Sequence, residues 1–132
     1  MIYLGGGAGM APLRSHIAHL FETVTTRRKV TFWYGARSRQ ELFYEEYFRD
    51  LECRFTNFSF FPALSEPLPE DRWTGHKGFI HDVLKKEYLS IHQNPKAVEY
   101  YLCGPPMMIQ SAEDMLANEF RIPKSQIAFD EF

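Results

Sequence analysis

Apolar residues in this chain fall into two kinds of run. Short blocks of consecutive β-prone side chains stand at Ile2 to Leu4, Val30 to Tyr34, Arg54 to Leu64, Val98 to Leu102 and Ile127 to Phe129, and they predict five strands. Between the blocks, apolar residues return every three or four positions. Leu13, Ile17, Leu20, Phe21 and Val24 predict a helix over 12–25; Leu42, Phe43, Phe48 and Leu51 predict one over 38–52. Phe79, Ile80, Val83, Leu84 and Tyr88 place a third helix from near Lys77, and Ile109, Ala112, Met115, Leu116 and Phe120 a fourth over 107–120. Ser38 reads as the N-cap of the second helix, with Glu41 as its capping-box partner. Ser65 to Asp71, with Pro67, Pro69 and three acids, reads as a loop that Trp73-Thr-Gly75 pins back onto the body.

Strand and helix alternate with crossover lengths suited to parallel pairing. The pattern predicts an α/β fold: an open, parallel, five-stranded sheet with helices on both faces, Rossmann-like. In such sheets ligands sit beyond the carboxyl ends of the strands. Gly5 to Ala11, Gly35 to Arg39, Ser65 onward, Cys103 to Met107 and Asp130 to Phe132 are therefore expected along one edge.

Composition narrows the classes. A chain of 132 residues, 45% hydrophobic, suits one domain over 1–132. A net charge of -2 gives no reason to invoke nucleic acid. Cys53, Cys103 and the five histidines show no metal-ligand spacing, so no metal site is expected and Cys53 receives no function. No apolar run approaches the roughly 20 residues that span a bilayer. Met1 sits directly on a core strand, and the chain reads as an excised domain.

The densest chemical signal is Gly5-Gly-Gly-Ala-Gly-Met-Ala-Pro12, where a strand breaks into glycines ahead of a helix. Glycines admit positive φ and close approach of a ligand, and a helix start offers unpaired N–H groups to an anion. The loop is either a phosphate seat or a tight packing turn. It is not a P-loop, since no Gly-Lys-Ser/Thr follows, and Pro12 stands where the dinucleotide fingerprint wants its third glycine.

Together with Tyr34-Gly-Ala-Arg-Ser38 and Cys103-Gly-Pro-Pro-Met-Met108, this loop resembles the nicotinamide-binding domain of the ferredoxin-NADP⁺ reductase superfamily. More narrowly, the whole chain is similar to the C-terminal domain of the NADH-binding subunit (designated F) in the family of sodium-translocating NADH:quinone reductases. Trp73-Thr-Gly75, Gly78-Phe-Ile80 and the Asp130-Glu-Phe132 ending share in that likeness.

The resemblance implies NADH binding, with FAD and a 2Fe-2S cluster in flavin and iron-sulfur domains upstream of the same polypeptide. It also implies other subunits of a membrane complex as partners, at the cytoplasmic face, and quinone as the eventual acceptor. Gly5, Gly6, Gly7, Ala8, Gly9, Met10, Ala11 and Pro12 would receive the pyrophosphate and nicotinamide ribose. Ala36, Arg37 and Ser38 would meet the adenosine ribose. Cys103, with Gly104, Pro105, Pro106 and Met107, would border the nicotinamide, and Glu131 and Phe132 would face flavin and nicotinamide. Cys103, Glu131 and Phe132 thus stand as the reactive-face residues. Ser65-Glu66 replaces the Ser-Arg of NADP-using relatives, which implies a preference for NADH that Arg37 and Arg39 oppose. The alternatives left open are another ferredoxin-reductase-like NAD(P)H domain and a flavodoxin-like binding module without redox chemistry.

Overall fold

A parallel strand must be covered on both faces, and the apolar blocks here are long enough to supply both. The computed structural model of the chain describes residues 1–7 and 10–131. Its strands are β1 (Ile2–Gly6), β2 (Val30–Ala36), β3 (Phe58–Leu64), β4 (His76–Lys77), β5 (Tyr100–Gly104) and β6 (Ile127–Glu131). The helices are α1 (Met10–Ala18), α2 (Glu45–Arg54), α3 (Ile80–Glu87) and α4 (Pro106–Asp114). All strands pair in parallel, in the order β4-β3-β2-β1-β5-β6. From β1 the chain steps outward to β4, then returns to the other side of β1 for β5 and β6. Strand order therefore reverses between β1 and β5.

Successive residues in each strand point to opposite faces, and the core divides accordingly. Ile2, Leu4, Trp33, Ala63, Tyr100 and Leu102 pack with Ile80, Val83 and Leu84 of α3 and Ile109 and Ala112 of α4. Tyr3, Val30, Phe32, Tyr34, Phe58, Phe60 and Cys103 pack with Leu13 and Ile17 of α1, with Phe21 just past its end, and with Phe48 and Leu51 of α2.

Several expectations need correction. The sheet has six strands, not five, because His76-Lys77 pairs with Ala63 and Leu64 at the far edge of β3. Two residues are too short for any periodicity to show. Tertiary bonds make the strand: Trp73 Nε1 donates to His76 O at 2.8 Å, and Gly78 N donates to Leu64 O at 3.0 Å.

The second helix begins at Glu45 and not at 38, with Tyr44 in the left-handed region at φ 59° ahead of it. Ser38 makes no capping bond; Arg39–Glu41 is a single 3₁₀ turn. The Tyr34 hydroxyl, buried at the end of β2, accepts from Phe43 N at 3.1 Å and donates to Glu41 O at 3.2 Å, which holds the segment out of the helix. Phe43 is consequently half exposed, where helical spacing had placed it inward.

Phe79 is the third correction. It precedes α3 in extended conformation and is 64% exposed, so it is not part of that helix's core stripe. The first and fourth helices also end early, α1 running on into a π turn at His19–Thr23 and α4 into one at Met115–Glu119.

β4 covers only the last two residues of β3, leaving Phe60 on an open edge. Glu52 of α2 accepts from Phe60 N at 2.8 Å, and Arg49 donates to Phe60 O at 3.4 Å. Side chains thus occupy edge groups that would otherwise recruit another strand. Glu52→Ala should cost about 1 kcal/mol and promote self-association, whereas Glu52→Gln, which keeps an acceptor oxygen, should behave nearly as wild type. Urea unfolding and sedimentation over a concentration series would check both.

Candidate functional site

The carboxyl ends of β1, β2, β3 and β5 surround a cavity of about 840 Å³, at the edge where strand order reverses. Its floor is backbone. Gly6, Gly7 and Gly35 line it, and Gly7 holds φ +57°, a left-handed conformation that side chains resist. A Cβ on Gly6 would lie 2.5 Å from the sulfur of Met108, so the absence of a side chain there is what lets α4 settle against the strand ends. α1 opens at Met10 on this same edge, following β1, and the first-turn N–H groups of any helix lack intrahelical partners.

Four segments form the walls. Pro105 precedes α4, and Met107 and Met108 come from its first turn, Met107 being 84% exposed. The segment after β2 contributes Ala36, Arg37, Glu41 and Phe43, and Ser65 follows β3. Gly78, Phe79, Ile80 and His81 close the far side. Three large apolar side chains (Phe43, Phe79 and Met107) therefore stand exposed around one opening, an arrangement expected of a ligand site more than of inert surface.

Hydrogen bonds tie the two loops after β2 and β3 together. Ser65 N donates to Ala36 O at 3.0 Å and Glu66 N to Arg37 O at 2.8 Å, extending strand pairing past the sheet. Deeper in, the Asp71 carboxylate, 8% exposed, accepts from Leu68 N at 2.9 Å and Arg39 N at 3.2 Å. The Arg37 guanidinium grips Glu41, with Nη2 2.7 Å and Nε 3.1 Å from Oε1. That bond holds the Glu41 carboxyl below its ordinary range and raises Arg37. Burial pushes the Tyr34 phenol up, so it remains protonated and able to donate to Glu41 O.

Of the residues singled out from sequence, Gly6, Gly7, Ala36, Arg37, Ser65, Pro105 and Met107 line this cavity together. Gly5 is a packing glycine instead: a Cβ there would meet Leu13 at 2.7 Å. Gly104 lies buried beneath Met108, while Ala11, Pro12 and Pro106 are placed on the first turns of α1 and α4. Pro12 is the third residue of α1, not the first. Ser38 and Glu66 flank the cavity without lining it. Cys103 is 2% exposed within the core cluster beneath α1, and the cavity-lining residues do not include it. Glu131 ends β6 opposite Gly104. Ala8, Gly9 and Phe132 lie outside the described residues.

Sequence reasoning missed Phe43, Phe79, Met108 and the carboxylate of Glu41. Apolar spacing assigned both phenylalanines to cores, and a capping pattern claimed Glu41. The one available signal was Gly78, whose φ of +114° marks a break just before Phe79. Among the described residues no cluster of His, Cys, Asp and Glu could hold a metal ion, and no helix is long and apolar enough to cross a membrane.

The chain is 52% identical over all 132 residues to the Na(+)-translocating NADH-quinone reductase subunit, designated F, of Psychrobacter arcticus, and 48% identical to that of Neisseria meningitidis serogroup B. It spans 32%, about a third, of the length of these curated relatives. Among solved structures, the ferredoxin reductase in carbazole 1,9a-dioxygenase matches 99% of this chain with 37% of its own, at 26% identity and a TM-score of 0.77. The CS-b5R domains of human Ncb5or, in an NAD+ form, share the fold at a TM-score of 0.79 and 18% identity, over 97% of this chain and 35% of that one. Residues 3–114 match the family model described as the oxidoreductase NAD-binding domain, and the chain belongs to that family.

Proposed function

We propose that this chain binds NADH and presents its nicotinamide to a flavin held by an upstream region of the same polypeptide. The whole protein would be the NADH-binding subunit of a sodium-translocating NADH:quinone reductase. The observation that carries the reading is the convergence of the glycine turn, the Arg37 loop, Ser65 and the Pro105-Met107 turn on one cavity at the strand-order reversal. Similarity to that subunit across all 132 residues supports the choice of complex.

The residues present fit a dinucleotide. Gly6 and Gly7 give a floor that main chain alone occupies, as close approach of a pyrophosphate requires. Phe43 and Phe79 offer exposed aromatic faces for adenine. Ser65 and Arg37 border the adenosine ribose, with Glu66 beside them. Met107 and Pro105 line the half assigned to the nicotinamide, with Cys103 buried behind them as a positioning residue; by the family likeness, Glu131 and Phe132 would belong to the reactive face. When bound, NADH would supply a hydride to an FAD of the full protein, from which a 2Fe-2S cluster would take the electrons on toward quinone. The chain's own task is binding, orientation and exclusion of water. Its partners would be the flavin domain and other subunits of a complex at the cytoplasmic membrane face.

Titration of NADH and ADP-ribose against the chain should give saturable binding; none of either at millimolar concentration would overturn the reading. Alone, the chain should not approach a turnover of roughly 10 per second in NADH oxidation, with or without added FAD, because flavin positioning lies elsewhere. A ferricyanide assay measures this directly.

Gly7→Val places a β-branched side chain at positive φ on the cavity floor. ADP-ribose affinity should fall by about tenfold or more, equivalent to about 1.4 kcal/mol. Folding should lose about 1–2 kcal/mol from the left-handed conformation. Unchanged affinity in a destabilised protein would make the loop a packing turn.

Cofactor choice follows from Glu66, whose carboxylate repels a 2′-phosphate but can accept from a free 2′-hydroxyl. Wild type should favour NADH by roughly 1–3 kcal/mol, and Glu66→Arg should move the preference toward NADPH. Competition of the two nucleotides on both proteins decides it: a wild type that prefers NADPH, or a mutant that does not shift, removes Glu66 from this role.

A further inference from the structure

Two arginines follow β2, and either could balance the charge of a ribose 2′-phosphate. The structure treats them differently. Arg39 turns away from the cavity: its Nη1 donates to Asp71 O at 3.2 Å, its Nε lies 3.5 Å from Glu45 Oε1, and its guanidinium sits 5.6 Å from the Trp73 ring. It lines a separate groove between α2 and the Trp73 loop. Among the described residues, Arg37 is therefore the guanidinium or ammonium group lining the cavity, and Glu41 has already engaged it.

The engagement is multidentate. Arg37 donates through Nη2 and Nε to Oε1, through Nε to Oε2 at 3.3 Å, and through its backbone N–H to Oε2 at 3.4 Å. Glu41 lines the same cavity, and Glu66 adds a second negative field at Arg37. One guanidinium thus faces two carboxylates. Glu41 is not needed where the capping pattern would have put it, since Ser38 makes no cap and α2 starts only at Glu45.

Resting on the NADH-binding reading above, we propose that Glu41 is a specificity-determining residue. By holding the Arg37 guanidinium it withholds the cavity's strong cation from a 2′-phosphate and so favours the dinucleotide with a free 2′-hydroxyl. A phosphate of nearly two negative charges would have to displace the carboxylate and leave it unpaired beside itself. A hydroxyl carries no charge, does not compete for the guanidinium and leaves the ion pair in place. An exposed ion pair four residues apart contributes little to folding, so its effect falls on ligand choice.

The test measures dissociation constants of NADH and NADPH for wild type, Glu41→Gln, Arg37→Ala and the double variant, at low and physiological salt. Glu41→Gln should bind NADPH about three- to tenfold more tightly, with NADH changed by less than about twofold. The gain should vanish in the Arg37→Ala background and shrink as salt rises. Equal weakening of both nucleotides by Glu41→Gln, no gain for NADPH, or a gain that survives Arg37→Ala would each overturn the proposal. A wild type that binds neither nucleotide fails at an earlier point, because it removes the NADH reading on which Glu41 depends.

Discussion

Burial of a parallel sheet on both faces is the constraint from which the rest follows. With Tyr3, Phe32 and Phe60 committed to one face and Leu4, Trp33 and Leu102 to the other, the strands have no polar face on which to build a site. Chemistry is pushed to the carboxyl edge, where the strands run out of side chains and into loops. At that edge the reversal of order between β1 and β5 parts the loops and opens a crevice. Glycines at the ends of β1, β2 and β5 make it workable, since Met108 and Ile80 rest on them and bring α4 and α3 close to the rim.

The rim divides into halves of different physical character. Around Gly7, Pro105 and Met107 it is backbone and apolar surface, suited to an anion beside an aromatic ring. After β2 and β3 it is a cross-braced polar frame, in which Asp71, Tyr34 and the Ser65 and Glu66 amides join loops distant in sequence. A frame of that kind fixes the positions of Arg37, Glu41 and Ser65 before any ligand arrives, which lowers the ordering cost of binding. The arginines that sequence alone would credit with attracting phosphate are each held by an acidic or carbonyl partner.

How far the sequence could be read depended on whether a feature was local. Strand blocks such as Val30 to Tyr34 and the glycine turn at Gly5 to Gly7 announce themselves because β-branched and aromatic runs, and glycine at positive φ, are properties of a few adjacent residues. The helices were legible in kind and misjudged in extent, as π turns and the Tyr34 hydroxyl override spacing at their ends. β4 was illegible because two residues carry no period, and only the Trp73 bond to His76 and the pairing with Ala63 and Leu64 define it.

What the sequence by itself determined, then, was the alternation of strands and helices, the parallel α/β class, and a glycine turn facing a shared edge. Each follows from patterning that the unfolded chain already contains. Only the tertiary structure decided that Phe43 and Phe79 stand at the cavity mouth, that Cys103 lies in the core beneath α1, and that Glu41 answers Arg37 and not Ser38. Those outcomes are choices among competing partners, made by distance and by burial, and neither quantity exists until the loops after β2 and β3 have been drawn together.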